Sequence, residues 1–370
     1  MRPSRDIVVV GAGVVGCAIA SELARRGASV EIIDDRGPGL GATQASAGML
    51  APYNEALEGG PLLELASRSL DLYDSFVART QSDAGLPVTY RRTGTLEVAL
   101  QPAALPRLTR AHALLRRTGV ACEWLDPAQV KAQEPALADV AGGLLLPDHG
   151  YVAATELTRA LAAAARRHGA RIIEHGRVQR IVRRGDDVDV VTDRGSLTAD
   201  AVVLAAGSWS GGVAVDGASP APVTPVRGQL LQLQWSGPRL TRVLWCEQCY
   251  VVPWDDGTVL VGATVEDVGF DERTTVSGVR QLLDAITAVS PEAPSARFVA
   301  ARSGLRPATP DHLPIIGRSA AMPALVYATG HFRNGVLLAP LTAQMVADLV
   351  LDERSDPQLT ALAPSRFGQL

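Results

Sequence analysis

Residues 7–16 read Ile-Val-Val-Val-Gly-Ala-Gly-Val-Val-Gly, and this stretch decides the fold of the 370-residue chain. Its first four residues are all apolar, which is typical of a central parallel strand that is buried on both faces. A glycine turn of the form G-x-G-x-x-G follows at once, and apolar residues then recur at helical spacing until Gly27. Residues 29–33 form a second apolar strand, which ends in Asp34. This order predicts a Rossmann-like dinucleotide-binding unit.

Each motif glycine has its own physical role. Gly11 permits the tight turn, Gly13 lets the backbone approach a pyrophosphate because it has no Cβ, and Gly16 allows close packing of the helix on the strand. The helix N-terminus supplies N–H groups and a partial positive charge for the phosphates. The carboxylate of Asp34 can accept hydrogen bonds from ribose hydroxyls. The motif alone does not separate FAD from NAD.

Later segments indicate that distant parts of the chain return to the same sheet. Residues 41–50 form a loop of small residues, where backbone groups can come close to a flat ligand. Residues 200–207 and 325–330 are apolar strands that run into glycine, and ligands bind at the carboxyl ends of parallel strands. Residues 335–351 read as a helix whose N-terminus points at the same place.

The composition excludes several classes of protein. Hydrophobic residues make up 47 %, charged residues 20 %, and the net charge is −4, so a globular protein without a nucleic-acid partner is expected. After the glycine-bearing N-terminal run, no stretch reaches about 18 continuous apolar residues, so we expect no membrane span and a cytoplasmic location. Four cysteines argue for a reducing compartment. Cys246 and Cys249 have C-x-x-C spacing, but no second pair exists, so no metal site is expected.

Two other segments alternate between polar and apolar residues. These are residues 94–100 and residues 229–234. Such alternation predicts an antiparallel sheet with one face on the core and one face in water.

Five short motifs carry a resemblance to a known family. They are Ala47-Gly48-Met49-Leu50, Cys249-Tyr250-Val251-Val252-Pro253, Val261-Gly262-Ala263-Thr264, Gly304-Leu305-Arg306-Pro307 and Gly330-His331-Phe332-Arg333-Asn334-Gly335. With them the chain resembles the D-amino-acid oxidase/sarcosine oxidase superfamily of FAD-dependent proteins, and within it the glycine oxidases of thiamine biosynthesis. The resemblance extends over nearly the whole chain.

The resemblance implies an α/β fold of two domains. A Rossmann-like FAD-binding domain would comprise residues 1–83, 145–215 and 300–364. A substrate-binding domain on a mixed, largely antiparallel sheet would comprise residues 84–144 and 216–299.

The resemblance also implies a set of FAD-binding positions. They are Gly11, Gly13, Val14, Val15, Gly16, Asp34, Asp35, Ala42, Thr43, Ala47, Gly48, Met49, Val178, Gly207, Gly330, His331, Phe332, Arg333, Asn334, Gly335 and Val336. Monomeric sarcosine oxidases place their flavin-bonding cysteine near the position of Gly304, so FAD is expected to be non-covalent here.

Three residues are candidates for the catalytic site. Arginine suits a substrate carboxylate because its planar fork donates two parallel hydrogen bonds. The resemblance places the substrate carboxylate on Arg306 and Tyr250, and places Arg333 beside flavin and substrate. No general base is evident, and His331 is expected to pack in the flavin-binding turn.

The activity that the resemblance implies is oxidative deamination of a small amino acid. Hydride would pass from Cα to flavin N5, the imine would hydrolyse to an α-keto acid and ammonia, and O2 would reoxidise the flavin and yield H2O2. The partners are then a small amino acid (glycine, sarcosine or a small D-amino acid) and O2, with a homo-oligomer, a tetramer by resemblance.

The chain departs from the family pattern at four places, and the two departures in the pocket, Gln248 and Val265, leave the substrate open. Gln248 stands where the best-known glycine oxidases have His, Val265 replaces a Met beside the pocket, Asp34 replaces the commoner Glu, and residues 150–154 lack the usual Pro. The alternatives are a D-amino-acid, sarcosine or cyclic-amine oxidase or dehydrogenase with a larger pocket, a cyanide-forming glycine dehydrogenase subunit, and a non-catalytic flavin-binding subunit.

Overall fold

The computed structural model describes residues 6–55 and 60–370. The strands along the chain are β1 (Asp6–Val10), β2 (Ser29–Asp34), β3 (Met49–Leu50), β4 (Tyr90–Arg91), β5 (Thr95–Ala99), β6 (Glu123–Leu125), β7 (Gly142–Leu146), β8 (Gly150–Val152), β9 (Arg171–Glu174), β10 (Val178–Arg184), β11 (Asp187–Thr192), β12 (Gly195–Ala199), β13 (Ala201–Leu204), β14 (Ala214–Val215), β15 (Thr224–Gln234), β16 (Val243–Trp245), β17 (Tyr250–Pro253), β18 (Thr258–Gly262), β19 (Arg297–Ala308), β20 (Ile315–Arg318) and β21 (Leu325–Thr329).

The α-helices are α1 (Val14–Arg25), α2 (Pro52–Glu55), α3 (Pro61–Asp71), α4 (Tyr73–Ala84), α5 (Leu105–Arg117), α6 (Pro127–Gln133), α7 (Ala154–Arg167), α8 (Val276–Val289), α9 (Gly335–Leu351) and α10 (Leu359–Leu362). None of the helices in the described ranges is both long enough and apolar enough to cross a bilayer.

The N-terminal strand is the centre of a mostly parallel sheet with the order β20-β21-β13-β1-β2-β9. Val9 of β1 lies opposite Val203 of β13 and Ile32 of β2, and both neighbouring strands run parallel to it. Residues 7–10 are at most 4 % exposed, because helices cover one face and a smaller sheet covers the other. The sequence predicted that β1, β13 and β21 belong to one sheet, and they are neighbours in this one. The predicted α/β fold is confirmed.

A large mixed sheet has the order β19-β15-β18-β17-β16-β5-β7-β6. All its neighbours pair antiparallel except β16 and β5, whose pairing is parallel. The expectation that residues 94–100 lie in a half-solvated strand is wrong, because every residue of β5 is buried. Its second face is covered by α5, which packs Leu108 and Leu115 against the sheet.

Two smaller sheets complete the described architecture, with the orders β12-β11-β10-β14 and β3-β8-β4. The second of them pairs Met49 with Tyr151 and Leu50 with Gly150. It therefore holds the small-residue loop that follows β2 against the start of α7.

Helix α9 carries Pro340 in its second turn. Proline has no N–H, so the carbonyl of Val336, four residues earlier, loses its intrahelical donor. The hydroxyl of Tyr73 donates to that carbonyl at 2.5 Å, and the hydroxyl of Ser69 donates to the carbonyl of Leu337 at 2.6 Å. Helices α3 and α4 thereby stabilise the first turn of α9.

Candidate active site

One cavity of about 700 Å³ lies at the carboxyl ends of β1, β2, β13 and β21 and extends to the large mixed sheet. The three candidate catalytic residues, Arg306, Tyr250 and Arg333, all line it. The structure thus brings together predicted residues that are up to 325 positions apart in the chain, from Gly11 to Val336. Of the positions that the resemblance gave for FAD, all but Gly16 line this cavity.

The glycine turn fits a bound pyrophosphate. A Cβ on Gly11 would lie 2.4 Å from the carbonyl oxygen of Ala205, and a Cβ on Gly16 would lie 1.9 Å from that of Gly11, so both positions need glycine for packing. A Cβ on Gly13 would meet nothing closer than the hydroxyl of Thr43 at 3.7 Å. The protein itself leaves room for a side chain at Gly13, so the reason for a glycine there is the space that a ligand would take.

Two helix N-termini end at the cavity. Helix α1 begins after Gly13 and α9 begins after Asn334, and neither has a side-chain hydrogen bond at its cap. The N–H of Val14 donates to the hydroxyl of Thr43 at 3.2 Å, which ties α1 to the small-residue loop. Helix N-termini attract anions through the helix dipole and their N–H groups, so this end of the cavity suits the phosphates of a dinucleotide.

The carboxylate of Asp34 is fixed by the backbone around it. It accepts N–H groups from Ala12 at 2.7 Å and from Arg36 and Gly37 at 2.8 Å each. Asp34 therefore holds the glycine turn against the end of β2 in addition to facing the cavity. The neighbouring Asp35 lies on the cavity rim and pairs with Arg177 at 2.8 Å.

The other end of the cavity is built on the large mixed sheet. Tyr250 starts β17 and lies directly across from Trp245 of β16, with their ring centroids 5.9 Å apart. Arg306 lies on β19 and donates from Nη1 to the carbonyl oxygen of Thr264 at 3.0 Å. Thr264 is itself fixed, since its hydroxyl accepts the N–H of Gln229 at 2.9 Å.

Two glycines make room for these side chains. A Cβ on Gly228 would lie 2.2 Å from Nη2 of Arg306, and a Cβ on Gly262 would lie 2.3 Å from the hydroxyl oxygen of Tyr250. The guanidinium and the phenol therefore each lie flat on a bare stretch of backbone. This packing fixes both groups towards the same cavity.

The motif at residues 330–335 shapes the wall between the two ends. His331 is 4 % exposed, and its Nε2 lies 3.1 Å from the hydroxyl of Thr342. Burial lowers the pKa of His331 to about 4, so the ring is neutral near pH 7, as expected for a packing residue. Arg333 is exposed at the cavity rim, with its guanidinium carbon 5.6 Å from the ring centroid of Phe332.

The structure gives the positions of two residues that depart from the family pattern, Gln248 and Val265. Gln248 lines the cavity and is exposed at its mouth. Val265, by contrast, is 56 % exposed and does not line the cavity, so the expectation that it stands beside the pocket is wrong. The chain leaves the cavity wall after Ala263.

Several cavity residues were missed by sequence reasoning. They are Arg36, Trp209, Trp245 and Phe270. Trp245 had a usable signal, since its spacing from Tyr250 is that of a short hairpin. Arg36 and Trp209 also had a signal, since they lie two residues after the predicted positions Asp34 and Gly207, whereas Phe270 had none.

The cysteine pair in the turn between β16 and β17 is buried. Cys246 and Cys249 are both unoxidised, and the N–H of Cys246 donates to the carbonyl of Cys249 at 2.8 Å. A side-chain hydrogen bond with Cys249 and burial raise the pKa of the Cys246 thiol. Within residues 6–55 and 60–370, no group of three potential metal ligands forms a metal site.

A glycine turn at the carboxyl edge of a parallel sheet, in one cavity with Arg306 and Tyr250 of the large mixed sheet, is typical of dinucleotide-dependent oxidoreductases. The chain belongs to the DAO family of FAD dependent oxidoreductases, whose family model matches residues 6–349. The cofactor of this family is FAD, and the chemistry of the glycine turn, the two helix N-termini and Asp34 fits that cofactor.

Relatives of this chain include single and fused proteins. It is 38 % identical over 370 residues to the bifunctional protein ThiO/ThiG of Nostoc sp., a match that covers 98 % of this chain and 55 % of that protein. The chain thus spans about half the length of those relatives. It is 35 % identical to the glycine oxidase of Geobacillus kaustophilus, with 93 % of this chain and 92 % of that one covered.

The solved structures agree with the family. The crystal structure of glycine oxidase from Geobacillus kaustophilus superposes with a TM-score of 0.92 at 33 % identity, and covers 99 % of both chains. That of iminodiacetate oxidase from Chelativorans sp. superposes with a TM-score of 0.87 at 27 % identity, and covers 97 % of this chain and 98 % of that one.

Proposed function

We propose that this protein oxidises the Cα–N bond of a small amino acid, with glycine or sarcosine first and small D-amino acids next. The observation that carries the proposal is that Arg306 and Tyr250 line the same continuous cavity as the glycine turn. A flavin needs no carboxylate clamp for its own binding. Relatives named glycine oxidase, 35 % identical over 93 % of this chain, support the same activity.

The reaction needs the substrate held with its Cα–H bond towards the flavin. Bound FAD supplies the hydride acceptor and passes the electrons to O2, which yields H2O2. The planar fork of Arg306 binds the carboxylate through two hydrogen bonds, and the Tyr250 hydroxyl donates a third. Because Arg306 rests on Gly228 and Thr264, its orientation is fixed before the substrate binds, and such positioning accounts for much of the rate.

The walls around this clamp limit the size of the substrate. Trp245 packs on Tyr250, and Met49 comes from the small-residue loop. Both side chains are large, so they leave less space for a substrate side chain than small residues would. Gln248 at the mouth is neutral and polar, and it can contact the substrate amine without a charge.

A peroxide-coupled assay in air tests the substrate class. It compares glycine, sarcosine, D-alanine, D-proline and several large L-amino acids. We expect peroxide from glycine or sarcosine and none from the large L-amino acids. Turnover of a bulky amino acid with inert glycine and sarcosine would refute the proposed substrate and leave the family assignment intact.

Three finer properties belong to the proposal. FAD is bound non-covalently, because glycine occupies position 304. Acid precipitation should leave the flavin in the supernatant, and flavin in the pellet would contradict this.

The protein acts in the cytoplasm as a homo-oligomer. Support for the oligomer comes from the resemblance to the glycine oxidases. Light scattering on the purified protein would measure the subunit number.

A further inference from the structure

An ion pair beside the cavity links the segment that follows β2 to the segment that precedes α8. Arg36 follows β2 of the parallel sheet. Glu272 lies in the segment 263–275, which connects β18 of the large mixed sheet to α8. The guanidinium of Arg36 binds the carboxylate of Glu272 with both of its terminal nitrogens, at 2.9 and 2.6 Å. This two-point geometry fixes the orientation of both groups.

Two aromatic rings continue from this ion pair. The guanidinium carbon of Arg36 lies 4.6 Å from the ring centroid of Trp209, within the range of a cation–π contact. Trp209 in turn lies 5.9 Å from Phe270, with 38° between the ring planes. We call Arg36, Trp209, Phe270 and Glu272 the clasp.

The clasp lies at the nucleotide end of the cavity. Arg36, Trp209 and Phe270 line the cavity, and the N–H of Arg36 donates to the carboxylate of Asp34 at 2.8 Å, which places the clasp beside the predicted ribose acid. Phe270 is nonetheless 56 % exposed. An apolar ring that faces both a cavity and solvent has no protein partner for much of its surface, and a flat ligand ring would cover it.

The segment that carries Phe270 and Glu272 is held by side chains of the large mixed sheet. Arg227 is only 4 % exposed, and it pairs with Asp271 at 2.9 Å and with Glu266 at 2.5 Å. Ser303 of β19 donates its hydroxyl hydrogen to the carbonyl of Glu272. The segment that carries Phe270 and Glu272 is therefore held by residues of the large sheet as well as by Arg36.

We propose that the clasp retains FAD by closing over its adenosine half, with Phe270 and Trp209 against the adenine and the Arg36–Glu272 pair keeping the segment shut. This role concerns the cofactor and does not depend on the proposed substrate. It makes the large sheet a contributor to nucleotide binding, in addition to its carboxylate-binding end.

The test measures the rate of FAD release from the holoenzyme, followed by the rise in flavin fluorescence on dilution. The variants are Phe270→Ala and Glu272→Gln, with Phe298→Ala and Asp284→Asn as matched controls. Phe298 is a similarly exposed phenylalanine outside the cavity, and Asp284 is an exposed acid that pairs with Arg280. We expect release to be roughly three- to tenfold faster in both clasp variants and unchanged in both controls.

A second pair of variants separates aromatic contact from loss of volume. Phe270→Tyr should restore the wild-type release rate, whereas Phe270→Leu should not, because only the first keeps a ring. The visible spectrum of the bound flavin should keep its shape in all variants, since the contact is at the far end of the cofactor. Release at the wild-type rate in Phe270→Ala and Glu272→Gln, or equally faster release in the Phe298→Ala control, would overturn the proposal.

Discussion

Tyr73 donates its phenolic hydrogen to the carbonyl oxygen of Val336, 263 residues further along the chain and four residues before Pro340. Val336 lines the cofactor cavity, so this bond connects the packing of α4 with the helix N-terminus that faces FAD. Burial raises the pKa of Tyr73 well above its usual value, so the hydroxyl stays protonated as a donor.

Tyr73→Phe should destabilise the protein without changing the charge of the site. The substitution leaves the buried carbonyl of Val336 without a donor, which costs about 1–3 kcal/mol. We expect a lower free energy of unfolding in urea and faster loss of FAD on heating. Ser75→Ala, which removes an exposed hydroxyl that bonds Leu72, is the control. Equal stability of Tyr73→Phe and wild type would show that water or another group serves that carbonyl.

Arg306→Lys should abolish most activity on amino acids while FAD stays bound. Lysine keeps the positive charge and loses the planar fork, so the change is not conservative here. We expect kcat/KM to fall by an amount equivalent to about 2–5 kcal/mol. Steady-state kinetics with flavin content as an internal control would measure it. A nearly unchanged kcat/KM would move the carboxylate to another group, with Arg333 the next candidate.

Gly228→Ala is a companion to that variant, since it leaves Arg306 in the sequence and displaces it in space. The added Cβ would lie 2.2 Å from Nη2, so the guanidinium must move away from its place beside Thr264. The same direction of change in kcat/KM is expected, with normal FAD content. Wild-type kinetics in this variant would show that the clamp tolerates a shifted guanidinium.

Asp34→Asn should weaken FAD binding more than it changes the KM for the amino acid. One acceptor oxygen is lost where three backbone N–H groups converge, and hydrogen bonds to a charged group contribute about 1.5–3 kcal/mol each. A titration of FAD fluorescence should show affinity lower by about tenfold or more. Asp284→Asn, which changes an exposed acid outside the cavity, is the matched control. Unaltered affinity for FAD in Asp34→Asn would exclude Asp34 from the nucleotide site.

Stability should fall with pH below the ordinary pKa of histidine. Burial lowers the pKa of His331 to about 4 and that of His149 to about 3. Between these values and the ordinary pKa of histidine, the unfolded chain binds protons that the folded chain does not bind. The free energy of unfolding should therefore decrease as the pH falls from about 6.5 towards 4, by about 3 kcal/mol for each histidine.

The measurement is urea unfolding across that pH range. His149→Phe, which keeps a ring to stack on Tyr53, should flatten the slope, because it removes one of the two groups. His175→Asn is the control, since His175 is exposed and asparagine tolerates its left-handed backbone. An unchanged slope in His149→Phe would show that His149 is solvated in the folded state.

Sequence reasoning predicts those parts of the fold whose pattern is local. Strand β1 and helix α9 follow from short apolar runs and glycine boundaries, and the structure has them at the expected residues. The pattern failed at β5, where alternation indicated one solvated face and α5 covers it. Alternation describes the strand alone, whereas its burial depends on α5, which begins six residues after β5 ends.

The candidate site was predictable to the extent that its residues lie in motifs. The clasp was not, because Arg36 and Glu272 are 236 residues apart and neither stands in a recognisable pattern. Val265 is the opposite case. The resemblance predicted that it lies beside the pocket, whereas its side chain is exposed at the surface.

An anaerobic mixture of the purified holoenzyme with glycine tests most directly whether the protein oxidises a small amino acid. We expect the visible absorption of the oxidised flavin to bleach, and admission of O2 to restore it with the release of H2O2. The same mixture with Arg306→Lys should stay yellow. A flavin that remains oxidised with glycine, sarcosine and every small D-amino acid would contradict the proposal that Arg306 and Tyr250 hold an amino acid for oxidation.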